Sequence, residues 1–276
     1  MEPGRRTLKA GDFVRGGMPM ADCKTTPPAA GIRYALPDAL RGLTLLSMIA
    51  YHGCWDMVYI LGADWPWYQS TGAYLWQQSI CWTFILLSGF SFSLGRRHWR
   101  RGWTVFACGV VVTAVTLAVL PGQEIWFGVL TLLGSCMLLG ALLEKPLGRV
   151  PAGVGLAVSA VLFALTRNVN EGYLGFEGLR LAALPEGLYR NMVTAYLGFP
   201  FSGFHSTDYF SLVPWFFLFL TGYFLFRLTR RYLEAAPDLG RCRPLCDLGR
   251  RSLLVYMLHQ PVLYGLTLLL QGLGLP

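Results

Sequence analysis

Charge is scarce in this chain: 14% of its 276 residues are Asp, Glu, Lys or Arg, against about 25% in an ordinary soluble domain. With 54% hydrophobic residues, that composition excludes a water-soluble globule. Cysteine is scarce too. The seven cysteines are scattered and mostly sit inside apolar stretches, which excludes a disulfide scaffold. There is no internal repeat, no P-loop, no dinucleotide fingerprint and no zinc-type cysteine pairing. Cys242 and Cys246 flank Arg-Pro-Leu with no further Cys or His nearby, so no metal site is expected. Residues 1–32 lack the apolar run of a secretory signal. They are polar and rich in Gly, Pro and basic residues, and read as a disordered cytoplasmic tail in which Met18 and Met20 offer later starts.

What charge there is has a sign. Lys and Arg total 23 against 15 Asp and Glu, a net charge of +8, which alone would suit a nucleic-acid binder. Its placement points elsewhere. A transmembrane helix needs about 20 mostly apolar residues, and seven stretches qualify, close to 40–61, 72–94, 103–120, 125–143, 150–165, 210–228 and 252–273. Nine Trp, 13 Tyr and 17 Phe supply the rings that gather at membrane surfaces. With a cytoplasmic N-terminus, the tail, Arg41, the Arg96-Arg97-His98-Trp99-Arg100-Arg101 cluster, Lys145, Arg149 and the stretch 227–251 all fall inside. Only Arg167, Arg180 and Arg190 remain outside, as the positive-inside rule requires. The expectation is therefore an all-α, multi-pass bundle of about seven helices over residues 33–276, with one long outward loop at 166–209. The basic clusters would face anionic lipid or a negatively charged cytosolic ligand, and no nucleic acid is expected. His98, amid the arginines, reads as a surface residue.

The first helix carries ionisable residues where hydrocarbon disfavours them. The step from Arg41 to His52 is 11 residues, about three turns, so the two share a face with Asp38, Trp55 and Asp56. At about 1.5 Å per residue His52 lies roughly 16 Å above Arg41. A neutral imidazole beside a carboxylate at i+4 can take a proton from a hydroxyl or amine while the carboxylate fixes its tautomer; equally, the two can satisfy each other as packing. In the last helix Tyr256 and His259 precede Pro261, which frees a carbonyl. His205 lies close to Asp208 in the outward segment, where acceptor contact and plain solvation are both open.

The spacing of Arg41 and His52 resembles the Arg-x10-His signature of acyltransferase family 3 membrane enzymes. More closely, the series Asp38-x-x-Arg41-Gly42, Met48-x-x-x-His52-x-x-x-Asp56, Phe84-x-x-x-Ser88-Gly89, Gly128-Val129-Leu130, Asp208-Tyr209-Phe210 with Pro214-Trp215-Phe216, and Ser252-Leu253-x-x-Tyr256-x-x-His259-Gln260-Pro261 resembles bacterial members of the heparan-alpha-glucosaminide N-acetyltransferase catalytic-domain family. The resemblance implies an acetyltransferase of the bacterial inner membrane, with acetyl-CoA as cytosolic donor, no tightly bound cofactor, and a sugar acceptor on the far side. It implies His52 as base or acyl-handling residue with Asp56 beside it, and Arg41 with Asp38 at the donor's anionic end. Tyr256, His259, His205 and Asp208 would support them. The lysosomal enzyme's active histidine follows the first helix, yet no His occurs here between Met57 and Ile85. The acceptor expected is thus an envelope glycan rather than heparan. A small-solute or proton-coupled transporter and a noncatalytic membrane scaffold are the alternatives, and a homo-oligomer is left open.

Overall fold

The computed structural model describes residues 33–273; the expected N-terminal tail lies outside them. Helix α1 (Ala35–Tyr59) opens with Pro37 and Asp38 in its first turn, where a missing N–H is harmless and a carboxylate suits the helix dipole. A 3-10 turn at Pro66–Gln69 leads into α2 (Thr71–Phe92), and α3 (His98–Val119) and α4 (Val129–Leu142) follow. A short α5 (Glu144–Arg149) turns the chain into α6 (Ala152–Thr166). The segment 166–209, expected as a long loop, is not a plain loop. It holds a two-stranded antiparallel hairpin, β1 (Tyr173–Phe176) and β2 (Leu179–Ala183), and a short α7 (Met192–Leu197). Gly178 at φ +95° turns the hairpin, and Asn191 caps α7 in a reciprocal box with Thr194. Helix α8 (Leu212–Ala235), the amphipathic α9 (Arg243–Arg250) and α10 (Ser252–Gly272) complete the chain.

Among the described residues the architecture is all-α apart from that hairpin. Four helices among the described residues are long and apolar enough to cross a membrane: α3, α6 with its following turn, α8 and α10. Helix α4, at 14 residues, is shorter than a full span. Helices α1 and α2 have the length, 25 and 22 residues, but carry the polar side chains of the interior.

The core lies where α2, α4, α6 and α8 meet. Ile85, Leu132, Cys136 and Phe219 are fully buried there, with Phe163, Trp215 and Phe224 around them. Small residues let the backbones approach, as helix packing in lipid requires. A Cβ at Gly89 would lie 1.8 Å from the Phe219 carbonyl oxygen, and one at Gly222 would lie 2.1 Å from that of Leu86, so α2 and α8 interlock through two glycines. Helix α9 is seated on α1 in the same way, through Gly42 against Leu245 and Gly249 against Asp38. Around this core the outward faces of α3 and α10 are apolar: Val110, Val111 and Val115, and Leu254, Leu258, Val262 and Leu266, are all exposed.

Candidate active site

At the arginine-rich end a cavity of about 850 Å³ opens between α1, α2, α3, α4 and α10, within the size range of small-molecule sites. Its mouth is basic. Arg33, Arg41, Arg96, Arg97, Arg100, Arg101 and Arg250 line it, against a single acid, Asp38. Its inner end is formed by Phe84, Ser88, Leu130, Leu253 and Tyr256, so charge gives way to a neutral, largely apolar wall as the cavity deepens.

Asp38 organises the mouth. Its Oδ1 accepts from Arg41 Nη1 at 3.1 Å and its Oδ2 from Arg250 Nε at 3.3 Å, tying α1 to α9. Arg41 also donates through Nη2 to the Ser91 hydroxyl of α2. The guanidinium is thus fixed on two sides. Arg101 lies over Gly95, where a Cβ would fall 2.6 Å from its Nη1. The Arg96–Arg101 cluster, which the sequence left open between lipid and ligand, lines this cavity. His98 departs from its expected place at the surface: its ring stacks on Phe92 at 4.0 Å and its Nε2 lies 3.8 Å from Glu144, because α3 starts at this residue and turns it back onto α2.

His52 and Asp56 sit one layer behind the cavity, along the seam between α1 and α10. The His52 ring meets His259 edge-on at 5.0 Å, and His259 in turn lies 5.3 Å from Tyr256. The expected pairing of His52 with Asp56 does not form. Asp56, fully buried, accepts from Gln260 Nε2 at 3.1 Å and from Thr267 Oγ1 at 3.5 Å. Helix α10 packs along α1 and offers those donors directly opposite the carboxylate, whereas the imidazole one turn earlier faces His259. The His259 tautomer follows from its partner. Nδ1 lies 2.6 Å from the Tyr256 carbonyl, which can only accept, so Nδ1 carries the proton and Nε2 presents a lone pair, buried without a hydrogen-bond partner.

The pair His205 and Asp208 also separates. His205 is exposed, while Asp208 turns inward and accepts from the Val129 N–H at the start of α4, 3.3 Å from Oδ2. Burial pushes the Asp208 carboxyl up to about 6, with the Val129 N–H pulling the other way. Residue patterning alone does not disclose a further cluster at this end. There Arg167 donates to Gln78 at 3.0 Å and Tyr74 at 3.2 Å, pairs with Glu177 at 3.0 Å, and lies over the Trp215 ring at 5.0 Å. Its signal was the lone arginine following an apolar helix.

The family model described as the catalytic domain of heparan-alpha-glucosaminide N-acetyltransferase matches residues 33–261. The chain belongs to that family. No curated protein and no solved structure matches it. The stretch shared with the heparan-alpha-glucosaminide N-acetyltransferase family contains every residue that lines the cavity, together with His52, Asp56, Asp208 and His259. It ends at Pro261, just past the Tyr256–His259 turn.

Proposed function

We propose that the chain is an integral membrane acyltransferase that takes an acetyl or other acyl group from acyl-CoA and delivers it to a sugar of an envelope glycan. The observation that carries this reading is the arginine-lined cavity at one end of the bundle, whose inner wall is neutral. Clustered guanidinium groups suit the phosphates of a CoA donor, and the deeper wall at Phe84, Leu130 and Tyr256 suits its uncharged acyl end. Because the cavity opens at the basic end, the positive-inside rule puts the donor on the cytoplasmic side of a bacterial inner membrane. The acceptor then arrives from the end that carries the hairpin.

Within this reading Arg41, held by Asp38 and Ser91, binds donor phosphate. His52 and Asp56 bind α10 to α1, and so position Tyr256 at the cavity's inner end. The test is direct binding of labelled acetyl-CoA to the full chain reconstituted in lipid, followed by transfer to glucosamine and N-acetylglucosamine glycosides. Saturable, salt-sensitive binding and transfer are expected. No binding, with counterflow of a solute in proteoliposomes, overturns the reading in favour of a transporter. For His52→Ala the expected pattern is slower transfer at unchanged acetyl-CoA affinity.

A further inference from the structure

Asp208 caps the first N–H of α4 from outside that helix. It comes from the outward segment, yet its carboxylate reaches into the junction of α2, α4 and α10. The segment is firmly attached on both sides of it. Thr207 N donates to the Glu124 carbonyl at 3.2 Å, Phe210 N donates to that of Phe127 at 2.9 Å, and Ser206 Oγ bridges Trp126 N and O, each at 2.9 Å. Gly128 makes room, since a Cβ there would lie 3.0 Å from Asp208 Oδ2.

The three elements around this carboxylate are also those that close the cavity. Val129, which donates to Asp208, precedes Leu130 of the cavity wall. Cys81 of α2, within electrostatic reach of the carboxylate, lies one turn from Phe84. Tyr256 of α10, also within its reach, is itself part of the wall. Asp208 thus stands just beyond the inner end of the donor cavity, on the segment that comes from the opposite end of the bundle.

Its partners are few. Among the described residues no Arg, Lys or His lies within 4.0 Å of its oxygens, and the titratable groups that face it, Cys81 and Tyr256, are neutral. Asp208 is partly buried; a carboxylate drawn out of water with one backbone N–H and no cation as partners costs stability, and such groups concentrate where chemistry uses them. The α4 N-terminus favours the anion electrostatically, and the carboxyl's rise to about 6 keeps it ionised yet basic near neutral pH.

We propose that Asp208 is the catalytic base for acyl transfer, an assignment that rests on the acyltransferase reading. As the acceptor hydroxyl or amine attacks the acyl carbon, its proton passes to Asp208. The new C–O or C–N bond forms, the C–S bond of the thioester breaks, and the departing thiolate takes the proton back, leaving free thiol and the original carboxylate.

The test uses the full chain in lipid with acetyl-CoA and the two sugar glycosides, and reads donor affinity and transfer rate separately. Asp208→Asn is expected to bind acetyl-CoA as the unaltered chain does and to lose transfer by about 10²- to 10⁴-fold. In the unaltered chain the rate should rise with pH through about 6 as the carboxylate ionises, then level off; the rise should move in Asp208→Glu. Transfer retained in Asp208→Asn overturns the assignment. If that variant does not fold, a flat rate between pH 5 and 7 in the unaltered chain overturns it instead. Loss of donor binding or of all transfer by the unaltered chain overturns the acyltransferase reading itself, a result distinct from either.

Discussion

Arg41 is held as a ligand-binding cation should be, because its two terminal nitrogens are spoken for by Asp38 and Ser91 while the group still borders the cavity. Fixing a guanidinium in advance lowers the ordering cost of binding. Removing it has two separable effects. Asp38 retains Arg250 through its other oxygen, so the α1–α9 contact survives, but the donor loses a charged partner of about 1.5–3 kcal/mol. Arg41→Ala is therefore expected to weaken acetyl-CoA binding by roughly 10- to 100-fold with little change in thermal unfolding, as isothermal titration and a melting curve in detergent would read. Arg41→Lys should recover only part of the loss, since an ammonium cannot span Asp38 and Ser91 as a planar fork does. A parallel fall in melting temperature would mean that Arg41 serves the α1–α2 contact rather than the donor.

At the scale of helices, close approach through glycine serves two different ends. Gly89 and Gly222 lock α2 to α8 in the middle of the core, where Phe219 is fully buried. A methyl group at Gly89 would sit 1.8 Å from a carbonyl oxygen, and overpacking of that kind costs about 1–3 kcal/mol or more. Gly249 instead seats α9 on α1 beside Asp38, at the rim of the cavity. Gly89→Ala is accordingly expected to lower the melting temperature sharply. Gly249→Ala should lower it as well, since its methyl would sit 2.0 Å from the Asp38 carbonyl oxygen, and should in addition weaken acetyl-CoA binding by moving Asp38 and Arg250 apart; acetyl-CoA affinity lost equally in both variants would remove the distinction. The same scale marks what the sequence could and could not disclose. Apolar runs located the long helices, with ends displaced by as many as seven residues at α8 (expected to 228, found to Ala235), because each presents a hydrophobic surface over most of its length. Partners across helices were beyond it. The 3.6-residue period put His52 and Asp56 on one face, but it does not encode that α10 supplies Gln260 and Thr267 to the carboxylate. The inward turn of Asp208 was equally hidden, since it depends on how residues 206–210 pair with 124–127. For the Arg96–Arg101 cluster, hydropathy left lipid and ligand open; only the walls contributed by α1, α4 and α10 make it one side of a cavity.

For the molecule as a whole, the asymmetry of charge and the asymmetry of the cavity coincide, and this is what gives the proposed reaction a direction. The arginine-lined mouth opens at the end that carries α5, α9 and the start of α10, while the hairpin and the Arg167–Glu177 pair occupy the other. The proposed CoA donor would enter only where its phosphates are met, because it would have no path through the apolar surfaces of α3 and α10. Side-specific labelling can read the orientation from a single thiol. Cys242 is exposed at the arginine-rich end, whereas Cys54, Cys81, Cys108, Cys136 and Cys246 are partly or fully buried. With Cys23 replaced by serine, a membrane-impermeant maleimide is expected to modify Cys242 in inverted inner-membrane vesicles and to leave it untouched in spheroplasts. Acetyl-CoA added to the inverted vesicles should be consumed under the same conditions, since donor mouth and thiol face the same solution. Labelling in spheroplasts would put the arginines outside, against the positive-inside rule, and would separate the cavity from any cytosolic thioester.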